Sequence, residues 1–126
     1  IAHELENVGD ACYNLMILTQ RRYDSKISFA PEAMKNIAPY SDKMNEFMEF
    51  IKSHLNEHLS RSELETAIMY EESVNEFRNR LKKEAQNRLT SGSDVKTELL
   101  FIEIVRQIEQ MGDSSLNVAE ALRLIR

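Results

Sequence analysis

Residues 60–94 read SRSELETAIMYEESVNEFRNRLKKEAQNRLTSGSD, and this stretch decides the fold. Ser60/Glu63 and Ser62/Glu65 both fit capping-box spacing, in which a hydroxyl and a carboxylate satisfy each other's free backbone amides. Behind them Leu64, Ala67, Ile68, Val74, Phe77, Leu81, Ala85 and Leu89 recur at helical spacing. Thr90-Ser91-Gly92-Ser93-Asp94 then breaks the pattern. One long amphipathic helix, stopped by one unambiguous turn, fixes the class.

The same period extends on both sides. Downstream, Leu99, Ile102, Val105, Ile108, Met111, Leu116, Ala119, Leu122 and Ile125 form a stripe that reaches the end of the sequence. Upstream, Pro31 suits the first turn of a helix, where a missing N–H costs nothing, and Glu32 suits its dipole. That helix carries Met34, Ile37, Ser41, Met44, Phe47, Met48, Ile51 and Leu55, with Pro39 marking a kink or a late start. Residues 1–23 form another helix through Ile1, Leu5, Val8, Cys12, Leu15, Met16 and Leu18, and the stretch from Tyr23 to Ala30 is a loop.

The last three helices approach 30 residues, or about 45 Å. Short connections force neighbours to run antiparallel. The expected fold is all-α, an up-and-down antiparallel helical bundle, in one domain of 126 residues. Only 3 Gly and 2 Pro leave too few turns for a β-sandwich or barrel. The chain opens on Ile1 inside a helix, which suggests a fragment of a longer parent.

Charge and cysteine content narrow the function classes. A net charge of −5 argues against nucleic acid as a partner. Arg78, Arg80, Lys82, Lys83 and Arg88 alternate with Glu76 and Glu84, which is the pattern of a solvated helix face. Cys12 is the only cysteine, fits a reducing compartment, and reads as a small buried hydrophobe. No apolar run is long enough to span a bilayer.

An internal repeat supplies the candidate site. Glu6-Asn7-Val8-Gly9-Asp10 matches Glu109-Gln110-Met111-Gly112-Asp113 at an offset of 103, and the match extends to Leu5/Ile108, Asn14/Asn117 and Leu15/Val118. A glycine inside a helix costs roughly 1 kcal/mol relative to alanine, so a close approach or a site is expected at each copy. Each copy places two carboxylates one turn apart on one face. Glu71 lies on the packing face of its helix, with Asn75 one turn on, and antiparallel packing would bring Glu71, Asn75, Glu109 and Asp113 together. Oxygen ligands of this kind suit magnesium, manganese or iron. The alternative is a solvated flank with Glu71 bridged to Arg78 or Arg106.

His54 and His58 stand four apart beside Glu57, a spacing that can chelate zinc, although no third ligand is evident. The pattern reads foremost as an exposed helix end. No nucleophile triad, E-x-x-H element or phosphate loop is present, so no enzyme is expected.

The doubled motif resembles the LERIGD…N signature of PhoU-like domains. A full protein of that family has two three-helix bundles, each with the signature on its third helix. The resemblance implies that residues 1–23 are the last helix of a first half and residues 31–126 a second three-helix bundle. It implies metal ligands at Glu6, Asp10, Glu71, Asn75, Glu109 and Asp113, since such pairs hold iron or zinc clusters in the family. Asn75 stands where the family carries Asp, and Asn7 and Gln110 stand where it carries Arg.

It also implies a regulatory role in phosphate transport. The spacing of Asn75–Arg78, Lys82–Arg88 and Thr90-Ser91-Gly92 is most similar to cytosolic C-terminal domains of sodium/phosphate cotransporters. The implied partners are a membrane transporter domain of the same or another chain, or a second copy. The implied location is the cytoplasm, at the inner membrane's cytosolic face. The rival functions are a plain scaffold or dimerisation module and a metal-dependent carboxylate hydrolase.

Overall fold

A computed structural model describes residues 1–125. Among them are four helices and no strand: α1 (Ala2–Asp24), α2 (Pro31–His54), α3 (Arg61–Thr90) and α4 (Val95–Leu124). The helical-bundle expectation holds, and the expected boundaries fall within a few residues of these. The Ser60/Glu63 capping box forms in full and starts α3. Asp94 caps α4 by accepting from the Thr97 N–H at 3.0 Å. Gly92, at φ +95, supplies the left-handed turn that the breaker between α3 and α4 requires.

α4 is the centre of the bundle and packs against each of the other three helices. Its twelve buried residues face α1 on one side and α2 and α3 on the other. The core joins Tyr40, Met44, Phe47 and Ile51 of α2 to Ala67, Val74, Leu81 and Ala85 of α3 and to Phe101, Val105, Val118 and Leu122 of α4. The Tyr40 hydroxyl donates to the Val105 carbonyl at 3.0 Å, which satisfies the one polar atom that this buried ring carries.

Several expectations about burial need correction. Cys12 is exposed. So are Ile1, Leu5 and Met16, although all share the apolar stripe of α1. The reason is that α1 packs along α4 and has no second helix beside it. A single seam buries only Val8, Ala11 and Leu18. On α4, Leu99 is exposed and Leu100 and Phe101 are buried in its place. On α2, Met34 and Ser41 are exposed, with Ala33 and Tyr40 taking the core positions. α2 runs unbroken from Pro31 through Pro39, so the late start does not occur. Ile125 lies just past the end of α4.

α1 runs antiparallel to α4. Asn14 donates to Gln107 at 3.3 Å. Further along, Ile17 and Arg21 share a groove with Leu99, Leu100 and Glu103. This register sets the two copies of the sequence repeat side by side.

Candidate functional site

The repeat forms a polar cleft between α1 and α4. Asn7, Asp10 and Asn14 line one wall and Gln110, Asp113 and Ser114 the other. Equivalent residues of the two copies, Asn7 with Gln110 and Asp10 with Asp113, therefore face one space, as a local two-fold relation requires. Glu6 is exposed on α1 and does not line this cleft.

Behind α4, the α3 side chain foreseen to join the motif does so. Glu71 is 7% exposed, on the core face of α3. Its Oε2 lies 2.8 Å from the point that a Cβ on Gly112 would occupy. The glycine in this copy thus makes room for a carboxyl group. Burial foremost, and the neighbouring Asp113 carboxylate after it, push the Glu71 pKa up to about 8, against the lowering effects of Asn75 and Arg78. Glu71 is therefore a neutral carboxylic acid near neutral pH. Its Oε2 and the Oδ1 of Asn75 are buried with no hydrogen-bond partner among the described residues.

Glu109 behaves differently. Its Oε1 accepts from Arg78 at 2.8 Å and its Oε2 from Lys82 at 3.1 Å. The alternative in which Arg78 or Arg106 neutralises Glu71 is not what forms, because Arg78 pairs with Glu109 and Arg106 with Glu103. With Glu109 held by two cations, the residues left to meet are Glu71, Asn75 and Asp113. One neutral carboxylic acid, one exposed carboxylate and one amide oxygen are too few donors for a multinuclear iron or zinc cluster, and the site does not fit that group. Glu71 can take up and release a proton, and the exposed Asp113 can present polar atoms to a neighbour.

The two glycines differ sharply. A Cβ at Gly112 would meet Glu71 Oε2, Val74 Cγ1 at 3.3 Å and Met44 Sδ at 3.7 Å. A Cβ at Gly9 would meet nothing within 4 Å. We therefore expect opposite signs from one substitution. Gly9→Ala should stabilise the chain by up to about 1 kcal/mol through helix propensity. Gly112→Ala should destabilise it by about 1 kcal/mol, because forced displacement of the buried carboxyl against Val74 outweighs that gain. Urea unfolding of the two variants reads both signs.

Two clusters lie outside the repeat. At the α3–α4 turn, Glu98 is 2% exposed. It accepts from Arg88 Nε and from Ser93 Oγ, both at 2.8 Å. The Arg88 guanidinium also covers the Phe101 ring at 5.0 Å. Sequence reading missed this pair, although its two members flank the breaker, Arg88 two residues before it and Glu98 four after it.

At the α2–α3 turn, His54 meets Glu63 and Glu57. His58 turns away, with its ring nitrogens on the Ile125 carbonyl and Arg123. The His54/His58 chelate does not form, and the missing third group beside His54 and Glu57 is Glu63, which belongs to the capping box. In comparisons with known proteins the chain matches no family model, no curated protein and no solved structure.

Proposed function

We propose that this chain is a non-enzymatic, PhoU-like regulatory module of phosphate transport, acting by docking on the cytosolic side of a sodium-dependent phosphate transporter. One observation supports the reading above the others. The two motif copies are related by a local two-fold, yet only one is covered. Gly112 on α4 lies beneath Glu71 and Val74 of α3, while Gly9 on α1 faces open space. Around Gly9, α1 leaves Leu5 and Met16 exposed, with Ile1 and Tyr23 at its ends. An apolar helix face with a glycine at its centre fits a helix laid across it, as α3 lies across α4. The docking helix would come from the transporter, and the buried Glu71 of α3, beside Asp113 of α4, would make the bundle sensitive to pH.

The test is binding to vesicles that carry a sodium/phosphate transporter, compared with vesicles of the same lipids alone. Sedimentation should recover more of the chain with the transporter vesicles. Leu5→Glu and Met16→Glu should remove that excess and leave the helical circular-dichroism signal unchanged. Gly9→Leu should do the same. Equal recovery from both vesicle types refutes the transporter reading. If the chain instead forms a dimer in sedimentation equilibrium that the same variants break, the open face belongs to a second copy and the scaffold reading replaces this one.

A further inference from the structure

The second cluster, at the opposite end of α3 from the Arg88–Glu98 pair, has the chemistry of a metal site. His54 occupies the last turn of α2. Its Nδ1 donates to the Phe50 carbonyl at 2.7 Å, so Nε2 is the nitrogen that faces Glu63 and that a metal ion would take in exchange for its proton. The Phe50 ring, 4.5 Å away, packs against the imidazole and limits its rotation. Nε2 points at Glu63 Oε2, 2.7 Å away.

Glu63 is held in place by contacts of its own. Its Oε1 accepts from the Ser60 N–H at 2.9 Å, and its own N–H donates to Ser60 Oγ at 3.1 Å. The capping box thus holds one carboxylate oxygen and leaves the other to face His54. Glu57 lies in the connection, where its N–H donates to the His54 carbonyl at 3.1 Å. One ligand atom from each of His54, Glu57 and Glu63 lies within 4.8 Å of the others.

We propose that His54, Glu57 and Glu63 form a binding site for a divalent transition-metal ion, zinc foremost, that ties the end of α2 to the start of α3. One imidazole nitrogen with two carboxylates is a borderline donor set, which favours zinc over the all-oxygen preference of calcium and magnesium. An imidazole whose far nitrogen is bonded to a backbone carbonyl is the usual support for a metal-bound histidine. Tetrahedral zinc with bonds near 2.0–2.1 Å sets its ligand atoms about 3.3 Å apart. The 2.7 Å contact between His54 and Glu63 must therefore open by about 0.6 Å, which a side-chain rotation of the half-exposed Glu63 accommodates. The fourth position goes to water. An ordinary ion pair explains the His54–Glu63 contact but gives no role to Glu57, whose side chain is exposed.

The test uses tag-free, chelator-treated chain of all 126 residues. Zinc sulfate should raise the thermal midpoint by mass action, and cobalt(II) should give the strong visible absorption of a tetrahedral complex. His54→Ala should abolish both. Glu57→Gln should leave the metal-free midpoint unchanged and weaken cobalt binding at least tenfold. Glu71→Gln, at the other acidic site, should leave cobalt binding intact. No zinc shift and no cobalt spectrum overturn the site. So does a cobalt spectrum indifferent to Glu57→Gln, or one lost with Glu71→Gln and kept with His54→Ala. None of these results bears on docking by α1, so the two readings fail separately.

Discussion

Replacing Glu98 by alanine should destabilise the chain by about 3 kcal/mol, the low end of the roughly 3–5 kcal/mol found when one member of a buried ion pair is removed. Glu98 is almost fully buried and takes hydrogen bonds on both oxygens, from Arg88 and Ser93. Its loss strands the Arg88 guanidinium against Phe101, and Arg88 Nη2 already lacks a partner among the described residues. Arg88 retains some access to water, which moderates the loss. The double variant Arg88→Met/Glu98→Leu should recover most of the stability, because replacing both charges removes two desolvation costs together. Urea midpoints of the single and double variants decide this. Equal midpoints for Glu98→Ala and the native chain would mean that the pair is solvated in solution.

The second large effect concerns pH. Glu71 titrates at about 8 in the folded chain, against an ordinary 4.5. Below about pH 4.5 both folded and unfolded forms hold this proton, so the group has no influence. Between about 4.5 and 8 the unfolded chain releases it and the folded chain keeps it, and stability falls as pH rises. Above about 8 both forms are ionised and the slope vanishes. At about 1.36 kcal/mol per pKa unit the full loss is capped at about 5 kcal/mol. We expect about half of that, since Asp113 is exposed and water screens the pair. Glu71→Gln keeps the shape without the charge, so its unfolding free energy should stay flat across this window and exceed the native value at pH 8. Unfolding in urea from pH 5 to 8.5, run on both proteins, tests slope and crossover together.

How much of this was legible in the sequence follows from what each feature depends on. The helices and their turns depend on local signals, and the 3.6-residue stripes, Pro31 and the Ser60–Glu63 box placed them. The meeting of Glu71 with Asp113 was also legible, because an apolar seam with a carboxylate in it and an antiparallel turn leave few alternatives. The fate of Glu109 was not, since a row of Lys and Arg that reads as solvated turned two members, Arg78 and Lys82, inward onto it. Glu63 was read as a cap alone, and its second oxygen reaches His54 only once the α2–α3 turn closes. Cys12 and Met16 were misread because a helical stripe shows that a face is apolar and not that anything covers it.

The position of α4 between two unequal layers has a consequence for the order in which the chain comes apart. Helices α2, α3 and α4 share one interlocked core and are joined by short turns. α1 is held by a single seam, and its partner α4 is the last helix in sequence. Opening that seam returns the freedom of a long loop and exposes few buried side chains, so α1 belongs to the low end of the chain's local unfolding free energies while the other three helices stay folded. A partner that covers α1 therefore closes the weakest cooperative unit of the molecule. Its binding energy can extend protection from hydrogen exchange to a helix that the isolated chain leaves to fray.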